Sequence, residues 1–232
     1  MGGESMRSGC AARIRTAALA ATLSLTLAAC ATLPPDVPGG WSFAAMGDTP
    51  YSPAEEARLP PMISAMNREP LSFVVHVGDI VGGDGQCSEA VFAGRKALFG
   101  QFAAPFILTP GDNDWTDCHR GGSDPLQSLE TIRSLFHSGP ASLGPKPLPL
   151  ERQGDLDSRH APFRENVRWR MNGLVFVTLN IPGSNNNLGR TAEMDREHAR
   201  RMAANFDWLD EAVAQAEARD ALGLVIFVQA NP

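Results

Sequence analysis

The stretch FILTPGDNDWTDCHR, Phe106 to Arg120, sets an apolar run of strand length against a turn carrying three carboxylates, an amide and a histidine. Unpaired charge is costly beside a buried strand, so something must gather these groups there. The pattern recurs twice upstream: FAAMGD ends at Asp48 and VVHVGD at Asp79, as ILTPGD ends at Asp112. Asp48 and Asp79 are 31 positions apart, Asp79 and Asp112 33, each interval about one βαβ step of roughly 30 residues. Three successive parallel strands would deliver three aspartates to one carboxyl-terminal edge, where open α/β sheets place their ligands. The glycine before each acid permits a sharp turn and a close approach. Three converging anions would raise one another's pKa values. Divalent metal removes that conflict, and oxygen ligands suit Mg, Mn, Fe or Zn. Single Gly-Asp pairs are ordinary turn chemistry; the even spacing carries the reading.

Outward from these corners, strands are expected at Trp41–Met46, Ser72–Val77, Pro105–Thr109, Val167–Met171, Leu174–Asn180 and Leu222–Val228. Helices are expected at Ala54–Asn67, Ser88–Phe102, Leu126–His137 and within Ala192–Arg219. Ser88 and Asp124-Pro125 supply helix starts, and Asn172-Gly173 a tight hairpin turn. This alternation predicts an α/β domain with a parallel central sheet. GPASLGPKPLPL, Gly139–Leu150, reads as a long surface loop. LGLVIFVQANP is a buried-strand pattern that stops as it leaves the sheet, and the expectation is a chain cut short there.

With 232 residues, 43% hydrophobic, 20% charged and net charge −6, the composition fits one soluble globular domain. The acidic balance argues against nucleic acid as a partner, and neither GxGxxG nor GxxxxGK[ST] occurs.

Residues 1–30 carry a positive head (Arg7, Arg13, Arg15), an apolar stretch too short to cross a bilayer, and LAAC ending at Cys30. The segment resembles a bacterial lipoprotein signal, in which Cys30 is lipidated; an ordinary signal peptide is the alternative. The resemblance implies a protein anchored by lipid to the membrane on the periplasmic side of the envelope, at the outer membrane because Ala31 follows the cysteine. Thr32–Gly40 reads as a Pro/Gly tether, so that 31–40 link the leader to a domain over 41–232. In an oxidising compartment, Cys87 and Cys118, each a few residues beyond an acid corner, are expected to form a disulfide tying the two loops. Two free thiols are the alternative.

The order GD … GD … GDND resembles the calcineurin-like metallophosphoesterases, a group that includes the purple acid phosphatases. The resemblance spans Ser42 to the end of the chain. It implies an α/β fold of the metallophosphoesterase type, a β-sandwich flanked by helices in αββα layers, with its second sheet incomplete. It also implies two divalent metal ions (Mn, Fe or Zn) and hydrolysis of a phosphate ester by metal-bound hydroxide. Position by position, Asp48 stands at the first metal-binding aspartate, Asp79 at the aspartate bridging both metals, and Asp112 at a ligating asparagine. Asn113 takes the place of the catalytic histidine, Asp114 that of the motif's acid, and Gln229 that of a metal-binding histidine. Pro50 replaces a further histidine, and the family's closing Gly-His-x-His does not occur.

His119 lies in the third corner's loop, and its ordinary pKa suits it to replace the missing general acid; a solvent-facing histidine is the alternative. Tyr51 makes GDTPY, the spacing of an Asp-x-x-Tyr iron site but in the first corner, and packing or substrate contact is expected of it. His76 should pack between sheet and helix, His137 should meet a helix dipole, and His160 and His198 should lie on the surface. NIPGSNNN, Asn180–Asn187, either reaches the same edge or is a polar turn. Two other functions fit the sequence. One is a haloacid-dehalogenase-type phosphatase using Asp112, Asp114 and Thr116; the other is a non-catalytic envelope lipoprotein that keeps the phosphoesterase scaffold.

Overall fold

The computed structural model describes residues 40–84 and 87–230. The leader, Cys30 and residues 31–39 of the tether lie outside the described residues. Two sheets form. In the first, β1 (Ser42–Met46), β2 (Leu71–His76) and β3 (Phe106–Leu108) run parallel in that order. Met46 pairs with His76 and His76 with Leu108, so the three strands end level with one another. The second holds β4 (Glu151–Arg152), β5 (Val167–Met171), β6 (Leu174–Thr178) and β7 (Gly223–Phe227).

The α/β class holds; strand–helix alternation by itself predicts one parallel central sheet, and the chain forms a second sheet beside it. Asn172 and Gly173 take φ values of 49° and 80°, the left-handed backbone that a tight hairpin needs. That turn makes β5 and β6 antiparallel, and within this second sheet β6 and β7 are the parallel pair. The hairpin therefore starts a sheet of its own.

The helices are α1 (Pro53–Glu56), α2 (Leu59–Met66), α3 (Glu89–Phe99), α4 (Pro125–Phe136), α5 (Gln153–Leu156), a short turn at Gly183–Asn186, and α6 (Ala192–Ala218). The single helix expected over Ala54–Asn67 is split, because Pro60 and Pro61 fit a helix only in its first turn. Gly139–Leu150 is not merely a surface loop. Leu143 exchanges two backbone hydrogen bonds with Phe106, each 2.9 Å, and so satisfies the open edge of β3.

Strand parity sorts the side chains into three cores. Phe73, Val75 and Ile107 face Val167, Trp169, Phe176 and Phe227 between the sheets. Phe43 stacks on Phe73 at 4.8 Å, and Phe73 meets Phe176 edge-on at 5.1 Å. The alternate residues Val74, Phe106 and Leu108 face α3 and α4 through Phe92, Phe99, Leu129 and Ile132. Behind the second sheet, Trp208 and Ala212 of α6 cover Val177 and Leu179. The order is helices, sheet, sheet, helix.

Three histidines are settled by this packing. His76 is fully buried beside Phe99, with Nε2 3.0 Å from the Thr49 carbonyl and Nδ1 accepting the Gly78 N–H. It is neutral, pushed down to about 4 chiefly by burial, and it links the first two corners. His137 does not meet the helix dipole as a cation. It is buried beside Arg152, and burial with that charge pushes it down to about 3. His160 is buried rather than at the surface, with Nε2 2.8 Å from Asp207.

Candidate metal centre

The level ends of β1, β2 and β3 place Asp48, Asp79 and Asp112 two to four residues beyond the sheet. Asp48 and Asp79 adopt φ of 57° and 61°, a left-handed conformation that aspartate tolerates better than most side chains. At Gly111 a Cβ would fall 2.1 Å from Asp79 Oδ1, and at Gly78 2.2 Å from the Gly111 nitrogen. The second and third corners therefore touch backbone to backbone, which only glycine allows.

Asp114 locks them together. Wholly buried, it accepts the N–H groups of Asp79 (2.8 Å), Ile80 (2.7 Å) and Gly111 (2.8 Å). Burial pushes its carboxyl up to about 7 against the pull of these bonds. With its oxygens occupied, Asp114 is a clamp on the corners, which argues against the haloacid-dehalogenase pairing of Asp112 with Asp114. Asp48 N–H donates to the Gly78 carbonyl at 3.1 Å, completing the link to the first corner.

On this frame the three acids are joined through two donors. Tyr51 Oη is 2.6 Å from Asp48 Oδ1 and 3.1 Å from Asp79 Oδ2. Gln229 Nε2 is 3.3 Å from Asp79 Oδ2 and 3.0 Å from Asp112 Oδ1. Gln229 follows β7 and Ser184 follows β6, so the carboxyl-terminal ends of both sheets reach one rim. Ser184 Oγ lies 2.8 Å from Asp112 Oδ2 and 2.7 Å from Asp117 Oδ2. Arg120 and Arg190 pair with Asp117 at 2.9 and 3.5 Å.

Counting hydrogens exposes a deficit. Tyr51 and Ser184 each own one hydroxyl hydrogen and each stand between two carboxyl groups, so with the acids ionised one contact of each pair lacks a proton. Burial, then the charges of Asp114 and Asp112, push Asp79 up to about 8. Burial and the Asp48 hydrogen bond raise Tyr51, keeping it a donor. The rim is short of positive charge.

The donor chemistry fits a hard divalent ion: three aspartates, all oxygen, with no lysine, arginine or histidine paired to Asp48, Asp79 or Asp112 among the described residues. The spacing is looser. Among the described residues no group of three or more His, Cys, Asp and Glu side chains closes to metal-holding distance. Each gap is bounded by two carboxylates, Asp48 with Asp79 and Asp79 with Asp112. Ions such as Mg²⁺ are commonly held by one or two carboxylates with water and substrate oxygens completing the shell.

Of the other expected residues, Asn113 donates its backbone N–H to Asp79 Oδ1 at 3.1 Å, and its side-chain oxygen lies against Gly83. His119 is exposed, and its Nδ1 is 2.9 Å from the Thr116 carbonyl of its own turn. That geometry favours the solvent-facing alternative over general acid. Cys87 and Cys118 are disulfide-bonded with Cα atoms 5.6 Å apart, tying the loop after Asp79 to the turn after Asp112.

Sequence reasoning missed Tyr51 as the link between two corners, and Ser184. The available signal was SNNN: Ser184, Asn185, Asn186 and Asn187 all have positive φ, a conformation asparagine favours. Arg201 holds this turn. Fully buried, it donates to the Asn180 and Asn186 carbonyls at 2.8 and 2.9 Å, pairs with Glu197 at 2.7 Å, and lies 5.1 Å from the Trp115 ring centre. Beside the turn, an apolar pocket of about 700 Å³ is lined by Ile181, Leu188, Met202, Phe206, Ile226 and Val228. It borders Gly183, where a Cβ would fall 2.7 Å from Asp112 Oδ2.

Comparison with known proteins found no matching family model and no matching curated protein.

Proposed function

We propose that the domain is of the metallophosphoesterase type and that its acid rim serves divalent-cation-dependent hydrolysis of a phosphate ester. The observation that carries this is the chain Asp48–Tyr51–Asp79–Gln229–Asp112, in which acids from three parallel strands meet with too few hydrogens to satisfy them. Asp48, Asp79 and Asp112 would hold the metal, with Asp79 shared between both gaps. When bound, such ions neutralise a phosphate and activate water. Asp114 holds the corners in register, Ser184 orients Asp112, and Tyr51 keeps a proton at its phenol oxygen, which neither Asn113 nor the exposed His119 supplies to the rim. The apolar pocket beside Gly183 suits an ester with an apolar alcohol.

From the leader ending at Cys30 we further propose that the domain is tethered by lipid in the envelope. The test of the hydrolase reading is Mn²⁺-dependent cleavage of p-nitrophenyl and bis-p-nitrophenyl phosphate, abolished in Asp79→Asn. Turnover that is unchanged by that substitution or by chelator would reject it.

A second reading, a non-catalytic phosphoesterase scaffold, is favoured by one observation: both gaps between the carboxylates are bridged by the protein's own donors. It predicts no turnover with any added divalent metal.

A further inference from the structure

Tyr51 and Gln229 occupy equivalent places. Each sits between two aspartates within hydrogen-bond reach of both, Gln229 with two amide hydrogens and Tyr51 with one, and both converge on one atom, Asp79 Oδ2, at 3.1 and 3.3 Å. Gln229 has been read by position as a ligand, which would require its amide oxygen to face the acids. The structure turns it the other way. Oε1 accepts the Gly183 N–H at 2.6 Å, and Nε2 faces Asp79 and Asp112. Reversing the amide would set its oxygen against two carboxylates and its NH₂ against an N–H, losing every partner it has. Tyr51 likewise spends its single hydrogen on the carboxylates.

We infer that Tyr51 and Gln229 are internal competitors for the cation and not ligands to it. Each fills a gap between acids with hydrogen, and an ion enters that gap only by displacing it. This rests on the cation reading of the rim. The two side chains keep Asp48, Asp79 and Asp112 assembled in the absence of an ion, because neutral donors relieve part of the crowding among the three acids. They also weaken the site for metal, since an ion must first break the one hydrogen bond that Tyr51 gives in its gap, or the two that Gln229 gives in the other. Both residues are placed to move: Tyr51 is 39% exposed and Gln229 is partly exposed. Neither belongs to a core, so substitution at either leaves the packed layers intact.

The test turns on a sign. Mn²⁺ binding to the full chain is measured by the loss of the free-ion electron paramagnetic resonance signal, for wild type, Tyr51→Phe and Gln229→Met. Competition predicts that each variant binds Mn²⁺ about tenfold more tightly than wild type, the scale of losing a hydrogen bond to a charged group. It also predicts a lower Tm than wild type without metal and a larger Mn²⁺-induced rise in Tm. Equal or weaker binding in the variants, with wild type binding, overturns the competition while leaving the cation site standing. Absence of Mn²⁺ binding in all three proteins overturns both.

Discussion

Asp114 accepts the backbone N–H of Asp79 at 2.8 Å, joining the third acid corner to the second across 35 positions of sequence. With its bonds to Ile80 and Gly111, this one carboxylate satisfies three buried donors. Asp114→Asn presents an amide NH₂ to some of those donors and leaves them unpaired. We expect a loss of about 2–4 kcal/mol in urea unfolding, together with loss of Mn²⁺ binding, because Asp79 and Asp112 are no longer held side by side. Wild-type stability in the variant would contradict the clamp.

The Cys87–Cys118 bridge closes a loop over a sequence separation of 31. Its removal in a Cys87→Ala/Cys118→Ala double variant should lower stability by about 3–4 kcal/mol through the freedom restored to the unfolded chain. Alkylation followed by mass spectrometry of the unreduced protein should find neither thiol free.

Arg201 connects the left-handed turn, Glu197 and the Trp115 face without reaching solvent. Breaking a buried ion pair by removing one partner costs about 3–5 kcal/mol. Arg201→Met should approach that loss. Arg201→Lys retains the charge but not the planar fork, and should release the turn, weakening Mn²⁺ binding through Ser184 and Asp112 more than it lowers Tm. An equal effect of both substitutions on Tm with unaltered Mn²⁺ binding would assign Arg201 to packing alone.

His137 gives a pH signature. Its folded pKa is pushed down to about 3, whereas an unfolded histidine titrates near 6.5. Between these values the unfolded chain binds a proton that the folded chain refuses, so stability falls as pH drops from about 6.5 toward 3. The full contribution is on the order of a few kcal/mol. In His137→Leu that share of the acid slope should vanish, read from urea midpoints at pH 7 and pH 4. Parallel slopes in the two proteins would contradict a neutral buried His137.

How much of this the sequence carries depends on the range of the interaction. Six strands are legible within a residue or two, because apolar runs and their Gly-Asp or Asn-Gly endings are local signals. The corners at Asp48, Asp79 and Asp112 are legible for the same reason, as is the cysteine pair placed just behind two of them. The two-sheet arrangement is less so, since local pattern alone does not say which sheet the Asn172-Gly173 hairpin joins. The site's hydrogen bonding is the least legible. Ser184 meets Asp112 from 72 positions away and Gln229 meets Asp79 from 150, distances over which residue type says little about partner. The same holds for His137 and His160, which are buried beside Arg152 and against Asp207, partners that their neighbours in sequence do not announce.

The most direct measurement is a Mn²⁺ titration of the purified chain beside Asp79→Asn, with bound ion counted against protein. The account predicts saturable binding of at least one ion in wild type and near-complete loss in the variant, because Asp79 borders both gaps. Identical stoichiometry in the two proteins, or no saturable binding in wild type, would contradict it.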